Sequence, residues 1–196
     1  MAGKREEKRD DLRQRLLDAT EARIVAQGLT GLRAREIAQD AGCALGAIYT
    51  VFADLDDLIL HVGARTLQRL GQALSSAVAE KSDPEGVLQA LAAAYLDFAL
   101  THRKAWEALF DHNPPEIPDW LREQQGVLIA EIIRPLQALL PDADEKLIRA
   151  RARTMFAAVH GVIDLSLEGR FASVGEADLR RELQALVGTL VRGAQA

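Results

Sequence analysis

Apolar residues recur at helical spacing along most of the chain. Leu12, Leu16, Leu17 and Ile24 share one face of a helix predicted over 11–27, Gly28 ends it, and Thr30, Gly31 and Leu32 form a connection. The stretch 34–53 reads as two short helices, 35–41 and 45–51, folded across Gly42. Ile37, Ala38 and Ala41 line the inner side of the first, and Ile48, Val51 and Phe52 that of the second. Ala38 is small where the helices cross, Gly42 supplies the positive backbone angle of a tight turn, and Ile48 plugs the angle between them. The unit is a helix-turn-helix; an ordinary helical hairpin is the plainer reading of the same spacing.

The remaining pattern is helical too. Asp54 can cap a long helix running to about residue 79, with Asp56 and Asp57 favouring its positive end and Leu58, Ile59, Val62, Leu70 and Leu74 on its buried side. Pro84 suits the first turn of a helix over 84–100. Helices over 103–110 and 119–140 follow, separated by a stiff loop, Asn113-Pro114-Pro115-Glu116-Ile117-Pro118, and Pro135 is expected to kink or divide the second. Asp142 or Asp144 starts the next, to about 167, and the last covers 176–192. The fold class is all-α, with about nine helices. A flexible N-terminal tail over 1–10 precedes a three-helix helix-turn-helix domain over 11–53, and a C-terminal helical bundle occupies 54–196.

In a helix-turn-helix the second helix enters the major groove with its leading residues towards the base edges. Here that surface is Ala44, Leu45, Gly46, Ala47, Tyr49 and Thr50, which holds no Arg, Lys, Asn or Gln for bidentate base recognition. Readout therefore rests on methyl contacts with thymine, the hydroxyls of Tyr49 and Thr50, and groove shape. Composition sharpens the point. The net charge is −5, residues 1–53 hold nine Lys/Arg against eight Asp/Glu, and any affinity for phosphate must come from a local basic surface. Lys4, Arg5, Lys8 and Arg9 could form a minor-groove arm, opposed by Glu6, Glu7, Asp10 and Asp11. The single cysteine, Cys43, excludes an internal disulfide and any cysteine-rich zinc module, and its inward position suits packing. No apolar run reaches the roughly 20 residues that span a bilayer, and the charged N-terminus precedes no hydrophobic segment, so a cytoplasmic location is expected. His61, His102, His112 and His160 lack metal-ligand spacing and there is no Gly-rich phosphate loop, which argues against an enzyme and predicts neither cofactor nor metal.

Residues 12–62 resemble the DNA-binding domain of TetR-type transcriptional regulators, through Leu16-Leu17-Asp18-Ala19, Gly28, Arg35-Glu36-Ile37-Ala38, Ala41-Gly42, Gly46, Ile48-Tyr49, Phe52 and Leu58. Met155-Phe156-Ala157-Ala158-Val159-His160-Gly161, followed by Leu165, is similar to the Trp-x-x-x-His-Gly segment of one TetR subgroup, with Phe156 in place of tryptophan. The resemblance implies an all-α homodimer that binds a palindromic operator in double-stranded DNA. It further implies a repressor released by a small, largely apolar effector, the long helix after Phe52 serving as the lever. Tyr49 matches a position that commonly touches the DNA backbone; packing at the edge of the unit is its other reading. Three positions depart from the family pattern: Arg33 stands where Ser or Thr often caps, Ala47 replaces a frequent Thr, and Leu55 replaces a lysine. Arg33 and Arg35 could supply the lost phosphate contacts or remain solvated. A helical interaction module of the same fold that has lost sequence-specific DNA binding is the alternative.

The aromatics of the second domain, Tyr95, Phe98, Trp106, Phe110, Trp120, Phe156 and Phe171, can fill a helical bundle or line a cavity in it. The resemblance favours a cavity, with Tyr95, Phe98, Trp106, Phe110, Trp120, Phe156 and His160 as its candidate ligand-binding residues. His160 has a rival reading as a packing histidine bonded to a neighbouring helix. Leu179, Leu183, Leu186, Val187, Leu190 and Val191 make an apolar stripe on the last helix that a second copy would bury, burial inside one subunit being the alternative. In the family the last two helices form the dimer interface, where Gly161 and Gly188 would permit close approach.

Overall fold

The computed structural model describes residues 2–114, 116–169 and 173–195. Among them are eight α-helices, α1 (Ala2–Gln27), α2 (Ala34–Asp40), α3 (Leu55–Val78), α4 (Pro84–Thr101), α5 (Arg103–Asp111), α6 (Asp119–Leu139), α7 (Glu145–Leu167) and α8 (Glu176–Gln195), with 3-10 segments at Leu29–Gly31 and Leu45–Thr50. Pro115 and Phe171 lie outside the described residues. The chain forms two compact units, one of residues 1–68 and 102–122, the other of residues 69–101 and 123–196.

In the first unit, α1 starts at Ala2, so the expected tail is helical. Opposite charges three residues apart, Lys4 with Glu7, Glu6 with Arg9 and Lys8 with Asp11, suit that conformation. Gly28 ends α1 at φ 75°, its amide donating to the Ile24 carbonyl at 2.8 Å. Gly42 turns the chain after α2 at φ 66°, and the Arg15 guanidinium donates to the Ala41 carbonyl beside it. Leu16, Leu17, Ile24, Ile37, Ala38, Ile48, Phe52, Leu58 and Val62 pack into one core. The Asp54 carboxylate accepts from the Asp57 amide at 2.8 Å, and Asp57 accepts from the Ala53 amide at 2.9 Å, a reciprocal cap that starts α3. Arg65 of α3 donates to Asp18 of α1 at 2.6 Å and to Glu21 at 3.4 Å.

The expected boundary at residue 54 differs from the observed division. Residues 102–122 belong with the helices of the helix-turn-helix unit: α5 lies on α1 and buries Ala105 and Trp106, the latter 1% exposed. A helix of nine residues announces its apolar face by spacing, but not which neighbour covers it.

In the second unit, α4 packs against α8 and α7, and α7 against α8. Asp144 starts α7, its carboxylate accepting from the Leu147 amide at 2.7 Å. α6 runs through Pro135 without dividing. Leu179, Leu183 and Val187 are 1%, 2% and 1% exposed within the chain itself. This corrects their assignment to a dimer interface, because a side chain already enclosed by α4 and α7 has no apolar surface left for a second copy. Leu186, Leu190 and Gly161 stay partly exposed.

Candidate functional site

The reading segment of the first unit is built on one buried residue. Ile48 is 0% exposed, and its carbonyl accepts from the amides of Val51 at 3.0 Å and Phe52 at 2.9 Å. Around it the chain presents Ala44, Leu45, Gly46, Tyr49 and Thr50 as exposed residues, with Ala47 half-buried. Leu45 at 42% and Tyr49 at 53% exposed present apolar surface to solvent, four residues apart on the same segment. The segment is a 3-10 turn rather than the α-helix expected over 45–51. Its bonds span three residues, as in Ala47 N–H to the Ala44 carbonyl at 2.9 Å, and the Thr50 hydroxyl donates to the Ala47 carbonyl at 2.7 Å.

Charge around the segment is arranged locally. Arg23 of α1 donates to Asp40 at 2.6 Å and to Glu36, so the two carboxylates of α2 are offset by a cation from outside that helix. Arg33 and Arg35 are exposed at the start of α2, and Arg33 makes no side-chain cap. Arg13 stands over the Phe52 ring at 5.1 Å. Arg13 was not among the expected DNA-facing residues; its spacing from Phe52 in sequence carries no sign of this contact. Cys43 is half-buried, packed against the same core.

The second unit contains an apolar cavity, partly open to solvent, whose empty space is about 560 Å³ when the solvent at its mouth is counted. Its walls are Leu70 and Leu74 of α3, Leu88, Leu91, Ala92 and Tyr95 of α4, Leu128, Ile129 and Ile132 of α6, Met155, Phe156 and Val159 of α7, and Val187 of α8. Of the expected ligand-binding residues, the cavity brings together Tyr95 and Phe156. His160 stands behind them: its Nδ1 and the Tyr95 hydroxyl share a hydrogen bond of 2.9 Å, and its ring stacks on Phe156 with centroids 5.6 Å apart. Phe98 is buried on α4 but is not in the cavity wall. Trp106, Phe110 and Trp120 fall in the first unit, Trp106 against Phe110 at 5.4 Å and Trp120 against His61 at 4.7 Å, so they do not line the cavity. The reason is the connectivity: α5 and the start of α6 fold with the first unit, where Trp106 is buried, Trp120 half-buried and Phe110 39% exposed. The lining that sequence reasoning missed is aliphatic, and Leu, Ile and Val at helical spacing look the same beside a void as in a filled core.

Burial pushes the His160 imidazole below its ordinary value of 6.5, with Asp164 opposing. The folded chain thus resists protonation more than the unfolded chain does. The resulting penalty is absent well above pH 6.5 and grows as pH falls through 6.5. Urea midpoints measured from about pH 7.5 to 5.5 should decline over the lower half of that range, and His160→Gln should flatten the decline. An unchanged slope would place the titration elsewhere.

Comparison with known proteins bears on both sites. A family model described as the tetracyclin repressor-like C-terminal domain matches residues 88–190. The chain is 32% identical over 163 residues to the HTH-type transcriptional regulator BetI of Paraburkholderia phytofirmans, covering 80% of each. Among solved structures, it is similar to a protein of unknown function from Rhodococcus sp. RHA1, at 27% identity with a TM-score of 0.75 over 93% of this chain and 94% of that one. It also shares the fold of a TetR family transcription regulator from Marinobacter aquaeolei VT8, at 15% identity with a TM-score of 0.63 over 96% and 97% of the two chains.

Proposed function

This chain belongs to the TetR family of transcriptional regulators and is a ligand-responsive, DNA-binding regulator, and we propose that it is a cytoplasmic, homodimeric repressor released from a palindromic operator by a small apolar effector. The observation that carries the reading is the double membership of α3. Leu58, Ile59 and Val62 belong to the core under the reading segment, while Leu70 and Leu74, on the same helix, line the apolar cavity. An effector seated in the cavity acts directly on the helix that supports the reader. For that to release DNA, the effector must bind more tightly to a conformation whose two reading segments no longer match successive major grooves, roughly 34–36 Å apart. The second copy covers the outer faces of α7 and α8, where Leu147 and Leu165 are 43% and 40% exposed and Gly161, Leu186 and Leu190 are partly so. Leu45, Ala44 and Ala47 meet thymine methyl groups, Tyr49 and Thr50 give hydroxyls to the backbone or base edges, and Arg33, Arg35 and Arg13 hold phosphates.

Selection of bound sequences from a random DNA pool, followed by titration of the selected site at several salt concentrations, tests this. The expected result is a palindrome whose affinity falls steeply with salt. Failure by protein shown to be folded and dimeric would mean that the departures from the family pattern at Arg33, Ala47 and Leu55 are decisive and that Arg33 and Arg35 do not compensate for them. On the selected site, Tyr49→Ala should weaken binding by about tenfold, the factor that ~1.4 kcal/mol represents, with the dimer intact. Unchanged affinity would remove Tyr49 from the interface.

A further inference from the structure

In the second unit the apolar cavity and a polar cleft are lined one helical turn apart on the same three helices. Leu74 of α3, Leu88 of α4 and Ile132 of α6 line the cavity. One helical turn away on the same helices, Val78, Pro84 and Pro135 line a cleft with an empty volume of about 540 Å³, into which Lys81, Glu131 and Arg134 are also set. The cleft holds two cations against one carboxylate. Lys81 is exposed, and Arg134 reaches Glu131 only at 3.7 Å, with 79% of its side chain open to solvent against 20% for Glu131. The arginine can therefore turn to another anion while the carboxylate stays where it is.

A wholly apolar ligand would use the cavity and leave the cationic cleft idle. A small hydrophilic anion would do the opposite, and burying it among leucines would cost its hydration without a partner. We infer that the effector is a single-chain anionic amphiphile, its hydrocarbon chain among Leu74, Leu91, Leu128 and Phe156 and its headgroup between Lys81 and Arg134. The inference rests on the reading of the cavity as the effector site. Val78 to Leu70 on α3 spans roughly 12 Å at 1.5 Å per residue, the length of an extended chain of about ten carbons. A carboxylate and a phosphate monoester share the required headgroup chemistry, and a permanently cationic headgroup is disfavoured by Lys81 and Arg134.

Calorimetric titration of the full chain with decanoate, decyl phosphate, methyl decanoate and decyltrimethylammonium, each below its micelle concentration, distinguishes these cases. One or both anions should bind about tenfold tighter than the uncharged ester, and the cation most weakly. Shortening decanoate to octanoate should weaken binding about tenfold, as the loss of two buried methylenes requires. The double variant Lys81→Ala with Arg134→Ala alters exposed residues only, and it should bring the anions to the affinity of the ester without changing the ester. Which of decanoate and decyl phosphate gains more identifies the headgroup. Ester binding as tight as both anions, or an anion preference that survives the double variant, would overturn the inference while leaving the cavity as an effector site. Binding of none of the four probes, the uncharged ester included, would overturn the cavity reading with it.

Discussion

Trp106→Ala is expected to lower the unfolding free energy by about 3–5 kcal/mol, as removal of a large buried aromatic does. Trp106 is the largest fully buried side chain, 1% exposed, and packs against Phe110 in the unit that holds the reading segment. Against a total stability of roughly 5–15 kcal/mol for an ordinary domain, that loss takes a fifth or more of the total, and at the low end of the range it leaves part of the protein unfolded at ambient temperature and reduces operator binding in proportion. A urea titration of the variant checks it, with circular dichroism as the probe. A midpoint close to the parent's, with a changed response to effector alone, would instead place Trp106 in ligand binding, as its sequence position suggests.

Ile48→Ala should have the second largest effect, about 2–5 kcal/mol. Here the loss falls directly on function. Ile48 lies under the exposed surface formed by Leu45 and Tyr49, and its carbonyl anchors the turn into Phe52. Without the side chain, the 3-10 segment loses the contact that holds it on α2. Operator affinity should fall about thirtyfold or more, the factor corresponding to ~2 kcal/mol. Leu45→Ala is the control, because Leu45 is 42% exposed and its removal should leave the unfolding midpoint unchanged. Equal loss of stability in the two variants would contradict the assignment of Ile48 as the support and Leu45 as the contact surface.

Much of the reading unit was legible because its determinants are local. Gly28 and Gly42 both take positive φ where the spacing asks for a stop and a turn. The Asp54 cap, and the buried series Leu16, Leu17, Ile24, Ile37, Ala38, Ile48 and Phe52, follow from periods of three and four. Other features were misread for identifiable reasons. The 3-10 form of Leu45–Thr50 rests on backbone bonds that span three residues instead of four, and side-chain periodicity does not separate the two over a segment this short. The apolar stripe of α8 was correctly seen as buried, but Leu179, Leu183 and Val187 meet α4 and α7 of their own chain.

Sequence alone determines which face of each helix must leave water, where the chain turns, and that no Arg, Lys, Asn or Gln projects from the reading segment. These are properties of residue type and spacing. Only the tertiary structure decides what covers each apolar face. It assigns Trp106 and Trp120 to the reading unit and leaves a space among the leucines of α3, α4 and α6, with the cleft of Lys81 and Arg134 lined one turn away on the same helices. The physical reason is that hydrophobic burial is non-directional. A leucine is stabilised equally by any apolar neighbour, so neither the identity of that neighbour nor an empty space beside it is written in the leucine's own position.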